Sequence, residues 1–280
     1  MILFGGIDGG QSSTTAVVGD ADGRVLGRGT AGPADEVGCD ARSTRLKDAL
    51  EGALAAALDD AKLPRDTRFE AIVAGVSGYA GATVGIAPAF DAARVRLMHD
   101  APIAHAGALD GKPGVIVIAG TGSVVYGVGA DGRAVTVGGL GYVFGDEGSA
   151  FGIARRAIRE ADENGALRRR VATFFGEASA LDVARAVYAG RISRDRVAAF
   201  AADLLAAPDA DVERIVDAEV AALARQIARA KAMVAAGGPV AATGGMTRDA
   251  YYMKRLERLV DLVAPKDEPV IGALSLARNG

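Results

Sequence analysis

The stretch IDGGQSST, residues 7–14, follows a short apolar segment and ends in a turn rich in glycine and hydroxyl side chains. A second stretch of the same kind, IAGTGS, occupies residues 118–123. Glycine lets backbone amides approach an anion closely, and hydroxyl groups add hydrogen-bond donors. Each turn is therefore a candidate phosphate-binding turn. Two of them in one chain predict two half-sites that close on one nucleotide from opposite sides.

Each turn belongs to a module of three short strands, which we predict at residues 3–8, 15–19 and 24–30, and again at 115–119, 124–128 and 133–137. The hairpin sequence Ala-Asp-Gly-Arg occurs at residues 21–24 and again at residues 130–133. Two copies of a module are typical of a duplicated domain, because a solenoid needs more repeats.

The rest of the chain alternates strands and helices. We predict helices at residues 41–62 and 80–93 and from Asp100, strands at 70–76, 95–98 and 239–243, mostly helix over 149–263, and a short strand or turn plus a helix at 269–278. Strands followed by helices predict mostly parallel sheets, here with an antiparallel hairpin at one edge. We expect an α/β protein of two lobes with a cleft between them: residues 1–109, completed by a C-terminal helix at 268–280, and residues 110–267.

Composition narrows the class of protein. The 280 residues are 50% hydrophobic and 24% charged with a net charge of −3, which favours neither a nucleic acid nor a membrane as a partner. Cys39 is the single cysteine, so no internal disulfide or multi-cysteine cluster can form within one chain. The first residues lack the basic segment of a signal peptide, and no apolar run has membrane-spanning length. A cytoplasmic location is expected.

Two carboxylates lie where strands are predicted to end. Asp8 could hold Mg²⁺, mostly through water, or could simply belong to a tight hairpin without a ligand. Asp100 follows the strand at residues 95–98 and begins a helix. It could cap that helix, or it could take a proton from an attacking hydroxyl group. We interpret His99 and His105 as structural, because neither has a plausible set of metal-binding partners.

Two further glycine-rich segments are ambiguous from sequence alone. The run GGLGYVFG, residues 138–145, precedes Asp146 and Ser149, either of which could cap the following helix. So many glycines are more typical of a loop shaped around a ligand. The segment TGGMTR, residues 243–248, could lie against a purine or could merely connect a strand to a helix.

Two familiar nucleotide signatures are excluded. The chain contains no Gly-x4-Gly-Lys-Ser/Thr sequence, so it has no P-loop. A Gly-x-Gly-x-x-Gly pattern at Gly127, Gly129 and Gly132 lies between two predicted strands, whereas a dinucleotide fingerprint must open a helix.

The order of these motifs along the chain resembles that in the actin-like ATPase and sugar-kinase superfamily. Members of this superfamily contain two copies of a ribonuclease-H-like fold. The Gly-Thr-Gly-Ser turn and the GDEGSA segment at residues 145–150 resemble the BadF/BadG/BcrA/BcrD-type ATPases, and among them the N-acetylglucosamine kinases. The resemblance covers nearly the whole chain. It implies ATP and Mg²⁺ as cofactors, a small amino sugar as substrate, and a homodimer.

The resemblance also assigns roles to residues. Asp8 would bind the metal, and Asp100 would be the catalytic base that acts on the sugar 6-hydroxyl. ATP would be bound by Gly9, Gly10, Gln11, Ser12, Thr121, Gly244 and Gly245. The sugar would be bound by Asp35, Gly122, Ser123, Gly139, Leu140 and Asp146.

Two residues depart from the family pattern, which commonly has asparagine at position 35 and in some members tryptophan at position 140. Asp35 would tolerate a free amino sugar better than an N-acetylated one, so the sugar is left open between N-acetylglucosamine and glucosamine. The alternatives to an enzyme are a non-catalytic protein that senses sugar or nucleotide, and an ATPase that depends on a partner. The family's dehydratase activators bind an iron–sulfur cluster through cysteines, and Cys39 alone argues against that branch.

Overall fold

The computed structural model describes residues 1–235 and 237–280. These residues form two compact units. Unit 1 consists of Met1–Lys112 together with Ala264–Gly280, and unit 2 consists of Pro113–Val263.

The sheet of unit 1 has five strands in the order β3-β2-β1-β4-β5. Their bounds are β1 Leu3–Gly9, β2 Thr14–Asp20, β3 Val25–Ala31, β4 Phe69–Val76 and β5 Ala92–His99. The three hairpin strands pair antiparallel, whereas β4 pairs in parallel with both β1 and β5. The predicted hairpin strands are confirmed, and the sheet is evenly mixed rather than mostly parallel.

Three helices pack on this sheet: α1 Arg45–Asp60, α2 Asp100–Leu109 and α10 Pro269–Asn279. The helix predicted at residues 41–62 has leucine at every fourth position from Leu46 to Leu58, and this stripe is buried in α1, where Leu46, Leu50 and Leu58 are each at most 3% exposed. Helix α10 approaches β1 at backbone distance, because a Cβ atom on Gly6 would lie only 2.5 Å from the Leu274 nitrogen. Glycine is therefore required at this crossing.

The helix predicted at residues 80–93 is absent, so that prediction is wrong. Gly81 has a φ of +97°, which a helix does not allow. The amides of Val84 and Gly85 donate to the Glu36 carboxylate at 2.9 and 2.6 Å, and the amide of Ile86 donates to the Ser43 carbonyl. Because these amides find acceptors elsewhere in unit 1, the segment needs no helical hydrogen bonds.

Unit 2 repeats the topology of unit 1. Its strand order is β10-β9-β6-β7-β8, with bounds β6 Gly114–Ala119, β7 Ser123–Val128, β8 Ala134–Gly138, β9 Val240–Thr243 and β10 Leu262–Val263. Again the three hairpin strands pair antiparallel, and β9 pairs in parallel with β6 and β10. The duplicated α/β organisation is confirmed.

The helices of unit 2 are α3 Gly141–Phe144, α4 Ala150–Glu160, α5 Gly165–Phe175, α6 Ala180–Tyr188, α7 Arg194–Ala206, α8 Ala210–Met233 and α9 Ala250–Glu257, with a 3-10 turn at Gly245–Arg248. Their apolar faces and the sheet form one core around Phe200, Ile215 and Tyr252, which are fully buried. None of the helices built from the described residues is both long and apolar enough to cross a membrane.

Candidate active-site residues in each unit

Unit 1 brings two carboxylates to the same edge of its sheet. Asp8 at the end of β1 pairs with Gly75 of β4, and Gly75 pairs with Met98 of β5, two residues before Asp100. The carboxyl ends of three parallel strands therefore coincide, and the backbones of β1 and β5 are about 10 Å apart.

The surroundings of Asp8 oppose its ionisation. Burial, and then the negative charges of Asp100 and Glu268, raise the pKa of Asp8 from 3.8 to about 7. Among the described residues no basic side chain pairs with Asp8. A bound cation would remove this penalty, because an opposite charge favours the ionised carboxylate.

The cap of helix α2 is His99 and not Asp100, so the capping alternative for Asp100 is wrong. His99 has extended backbone geometry, and its Nδ1 accepts from the Ala101 amide at 3.2 Å. The same Nδ1 lies 2.8 Å from Oδ1 of Asp100. Nδ1 can accept from the Ala101 amide only when it carries no hydrogen, and it can donate to Asp100 only when it carries one, so the two contacts are alternatives. The Asp100 side chain, 18% exposed, lies inside the first turn of the helix and beside His99, not at the cap position.

The first glycine turn is held tightly. The Gly10 amide donates to the Ser13 carbonyl at 2.9 Å, and a Cβ atom on Gly9 would come within 2.9 Å of the Ala34 Cβ. The Ser12 side chain is exposed. Oε1 of Gln11 is buried and finds no hydrogen-bond partner among the described residues. The turn therefore offers an exposed hydroxyl group and an unused amide oxygen.

The loop that carries Asp35 is attached to this turn. The Ala34 amide donates to the Gly10 carbonyl at 3.0 Å. One carboxylate oxygen of Asp35 accepts from the Val37 amide at 3.2 Å and lies 3.8 Å from Nη1 of Arg45. Part of the Asp35 charge is thus already compensated within unit 1.

The second glycine turn is fixed by the start of helix α4. The amides of Ala150 and Phe151 donate to the carbonyls of Gly120 and Thr121, at 2.9 and 3.1 Å. The Ser123 hydroxyl is buried and donates to the Glu147 carbonyl at 2.7 Å. Thr121 keeps its side-chain hydroxyl group partly accessible at the tip of the turn.

Asp146 lies against this turn in a strained backbone conformation. Its φ is +65°, and its residue exposure is 3%. Oδ1 of Asp146 accepts from the Ser123 amide at 3.1 Å. A Cβ atom on Gly122 would be 2.8 Å from the same Oδ1, so glycine is required there. Ser149, and not Asp146, caps α4, because its hydroxyl accepts from the Gly152 amide.

Sequence reasoning missed Arg194, the first residue of helix α7. Nη2 of Arg194 donates to Oδ2 of Asp146 at 3.3 Å. Arg194 lies 48 residues beyond Asp146 and belongs to no motif, so only the fold reveals this pair.

Three side chains on other helices secure the loop around Gly148, and none of them was predicted. The Gly148 amide donates to the Glu219 carboxylate at 3.0 Å, and the Gly148 carbonyl accepts from the Tyr252 hydroxyl at 2.7 Å. Arg156 pairs with Glu219 at 2.8 Å. The loop that carries Asp146 is thereby held from both α8 and α9.

The glycine-rich run at residues 138–145 exposes its side chains. Gly139 has a φ of +68°, and Leu140 is 67% exposed. The run includes the single-turn helix α3, which the sequence did not predict. Leu140 therefore offers an exposed apolar surface next to Gly145, the residue before Asp146.

The Gly244–Gly245 turn follows β9, the parallel neighbour of β6. A Cβ atom on Gly244 would overlap the Ala119 carbonyl, and one on Gly120 would lie 3.7 Å from the Gly245 nitrogen. The two predicted ATP-binding turns of unit 2 are therefore adjacent at the ends of neighbouring strands.

A protein-only metal site is not formed by the described residues, since no group of three or more His, Cys, Asp or Glu side chains is arranged to hold an ion. This arrangement is compatible with Mg²⁺, which keeps several water ligands and needs one or two carboxylates in addition to substrate phosphates. Asp8 is the side chain in unit 1 that fits such a role, because it is a buried carboxylate without a basic partner.

Two units of this topology define the actin-like ATPase fold. The model of the BadF/BadG/BcrA/BcrD ATPase family matches residues 6–277, and the chain belongs to this family. The resemblance inferred from the motifs is confirmed.

Three relatives show how far the similarity extends. A protein of Chromobacterium violaceum provisionally assigned as an N-acetylglucosamine kinase is 27% identical, with a TM-score of 0.81 and 99% of both chains covered. The N-acetylmuramic acid/N-acetylglucosamine kinase of Clostridium acetobutylicum is 44% identical over 68 residues, which span 24% of this chain and 22% of that protein. An activator of 2-hydroxyisocaproyl-CoA dehydratase from Clostridium difficile shares the fold, at 13% identity and a TM-score of 0.51 over 99% of this chain and 93% of its own.

Proposed function

We propose that this protein transfers the γ-phosphoryl group of ATP to the 6-hydroxyl of an amino sugar, either N-acetylglucosamine or glucosamine. The observation that carries the proposal is the pair Asp8 and Asp100 at one sheet edge, where the charge of Asp100 contributes to the raised pKa of Asp8. A buried Asp8 carboxylate beside Asp100 is costly for a fold, and phosphoryl transfer uses both acids.

In this proposal Asp100 accepts the proton of the sugar hydroxyl as its oxygen attacks the γ-phosphorus. The bond from phosphorus to the ADP oxygen breaks, and ADP leaves with those electrons. Asp100 does not cap helix α2, because His99 occupies the cap position, and its contact with His99 involves the Oδ1 atom. Removal of the proton by a positioned base contributes about 10²–10⁴ to a rate.

Asp8 would hold Mg²⁺, directly or through water. The ion, when bound, would neutralise charge on the phosphates. Asp8 would become fully ionised on binding it, since a nearby cation lowers the pKa of a carboxylate.

The two glycine turns would bind ATP. The main chain of Gly9 and Gly10, the side chains of Gln11 and Ser12, and Thr121 would meet the phosphates, while Gly244 and Gly245 would contact the nucleoside. In support, Gly120 and Gly245 are adjacent in unit 2, and the hydroxyl of Ser12 is exposed. The reaction requires groups from both units at one nucleotide, and that convergence stays a prediction.

The sugar would be bound by Gly122, Ser123, Gly139, Leu140 and Asp146, with Asp35 beside its amino group. Asp146 would accept from sugar hydroxyls, and Leu140 would cover an apolar face of the ring. Because Arg45 compensates part of the Asp35 charge, a preference for a free amine is weaker than the sequence alone suggests. Both sugars are therefore retained as candidate substrates.

The test is an ADP-release assay with Mg²⁺ and ATP over glucosamine, N-acetylglucosamine, N-acetylmuramic acid, glucose and no sugar. We expect release with glucosamine or N-acetylglucosamine that exceeds the no-sugar rate at least tenfold. Sugar binding without ADP release would favour a sensing protein instead. ADP release independent of sugar would favour a partner-dependent ATPase. The sedimentation of the active sample would test the homodimer that the family resemblance implies.

A further inference from the structure

Arg194 lies where unit 2 brings the second glycine turn and Asp146 together. It is the first residue of helix α7, which Ser193 caps through its hydroxyl group. From there Nη2 reaches within 3.3 Å of Oδ2 of Asp146 and lies 3.0 Å from the point where a Gly122 side chain would begin. The Arg194 side chain is 20% exposed and that of Asp146 is 4% exposed, so water screens the pair poorly.

The contacts of Arg194 are few for so buried a guanidinium. Its Cζ lies 5.2 Å from the centre of the Tyr142 ring, within the range of a cation–π contact. Nε is buried and has no hydrogen-bond partner among the described residues. A side chain that leaves one of its own donors unsatisfied is not optimised for stability, because such a donor carries a desolvation cost. The carboxylate of Asp146 is its one ionic partner in the described chain.

The groups around Asp146 shift its pKa in opposite directions. Burial raises the pKa of the Asp146 carboxyl, while the Ser123 amide and the positive charges of Arg194 and Arg155 act in the opposite direction, and Glu147 adds to the increase. Oδ1 is held by the Ser123 amide and Oδ2 by Arg194, so both oxygens are fixed in direction. An ionised carboxylate accepts hydrogen bonds only, which suits it to bind the hydroxyl groups of a neutral sugar.

We propose that Arg194 is a positioning residue that keeps Asp146 ionised and oriented to accept hydrogen bonds from the sugar. The proposal rests on the proposed function, because it takes Asp146 to be a sugar ligand. It assigns to helix α7 a role in sugar affinity that no motif indicates. Arg194 itself touches neither the sugar nor the reacting phosphoryl group.

The kinetic test compares Arg194→Gln, Arg194→Lys and the control Arg196→Gln on the same helix, where Arg196 lies over Phe174 and away from Asp146. We expect Arg194→Gln to raise the sugar KM about ten- to hundredfold, the scale of one charged hydrogen bond, and to leave kcat and the ATP KM within about threefold. Arg194→Lys should recover part of the loss, and Arg196→Gln should behave as the unmodified protein.

The pH dependence adds a readout that a merely structural role does not give. Without Arg194 the pKa of Asp146 rises further, so the sugar KM of Arg194→Gln should climb at a higher pH than that of Arg196→Gln as the pH falls. A parallel pH profile for the two variants would overturn the proposal. So would an ATP KM that rises while the sugar KM does not.

A second measurement needs no turnover. The thermal unfolding midpoints of Asp146→Asn, Arg194→Gln and the double variant form a cycle. We expect the double variant to lose less than the sum of the single losses, and strictly additive losses would show that the two side chains do not act as a pair. If the unmodified protein releases no ADP with any sugar, the proposed function fails, whereas the cycle still decides the pairing.

Discussion

Asp8 in unit 1 and Asp146 in unit 2 each lie beside a glycine turn, and the neighbouring charges act differently on the two carboxylates. Asp8 in unit 1 faces Asp100 and Glu268, which add to the effect of burial and bring its pKa to about 7. Burial also raises the pKa of Asp146 in unit 2, but there Ser123, Arg194 and Arg155 oppose the increase. The same type of residue thus lies in a different electrostatic environment in each of the two duplicated units.

The charges around each carboxylate indicate which kind of ligand it suits. A carboxylate surrounded by acids gains most from a cation, whereas one already paired with arginine gains little from a second positive charge. Asp8 is therefore the better candidate for Mg²⁺, and Asp146 the better candidate for a neutral hydroxyl. Three experiments test this contrast between the two carboxylate sites.

The largest effect is expected for Asp100, the acid that distinguishes the first site. Asp100→Asn should lower kcat by about 10²–10⁴, because an amide cannot accept the sugar proton. Steady-state ADP release measures this loss. Asp110→Asn, which alters an exposed acid at the other end of the same helix, is the matched control. Near-normal turnover of Asp100→Asn would remove Asp100 as the base.

An intermediate effect, unequal in the two units, is expected for stability without Mg²⁺. The pKa of Asp8 is higher folded than unfolded, so stability falls as the pH rises from 3.8 to about 7, and ionised Asp8 carries the full cost above that range. Asp8→Asn should therefore raise the unfolding midpoint by several degrees at pH 8, and this gain should disappear as the pH falls below 3.8.

Asp146→Asn should stabilise the protein less than Asp8→Asn at pH 8, because Arg194 then loses its carboxylate partner, which offsets what is gained by removing a buried charge. Thermal unfolding in the presence of a chelator measures both variants. An equal stabilisation by the two substitutions at pH 8 would contradict the contrast between the two sites.

The smallest effect is expected from a single methyl group in the second turn. Gly122→Ala would bring a Cβ atom to within 2.8 Å of the Asp146 carboxylate, whose side chain must shift, and should cost about 1 kcal/mol of unfolding free energy. Gly120→Ala in the same turn is the control, since its Cβ would lie 3.7 Å from the nearest atom. Equal losses in urea unfolding would mean that Gly122 is not confined by the Asp146–Arg194 pair.

Much of the fold follows from local sequence signals. The repeated hairpin modules and the leucine stripe of α1 predicted their elements, because alternation and four-residue spacing are local properties. The segment at residues 80–93 failed for the converse reason. Its amides are satisfied by Glu36 and Ser43, which are distant in sequence, although Gly81 and Pro88 within the segment already disfavour a helix.

Some residues of the candidate site could be predicted from the sequence, and others could not. Asp8, Asp100 and Asp146 lie in or beside motifs that the sequence displays, and the family membership is confirmed. Arg194 and Tyr252 act through contacts that span 48 and 104 residues, and arginine or tyrosine in a helix is unremarkable in sequence. Their contacts depend on how helices pack in unit 2, which no local pattern encodes.

The closeness of helix α10 to β1 has a consequence for synthesis of the chain. Val270 and Leu274 complete the core that contains Phe4 and Val17, yet α10 emerges from the ribosome only after all of Pro113–Val263. During translation one apolar face of β1 therefore stays uncovered until α10 has been synthesised. Unit 2 is a continuous segment, so all residues of its core are synthesised before α10. The nascent chain should need protection at its amino-terminal sheet until the last helix arrives.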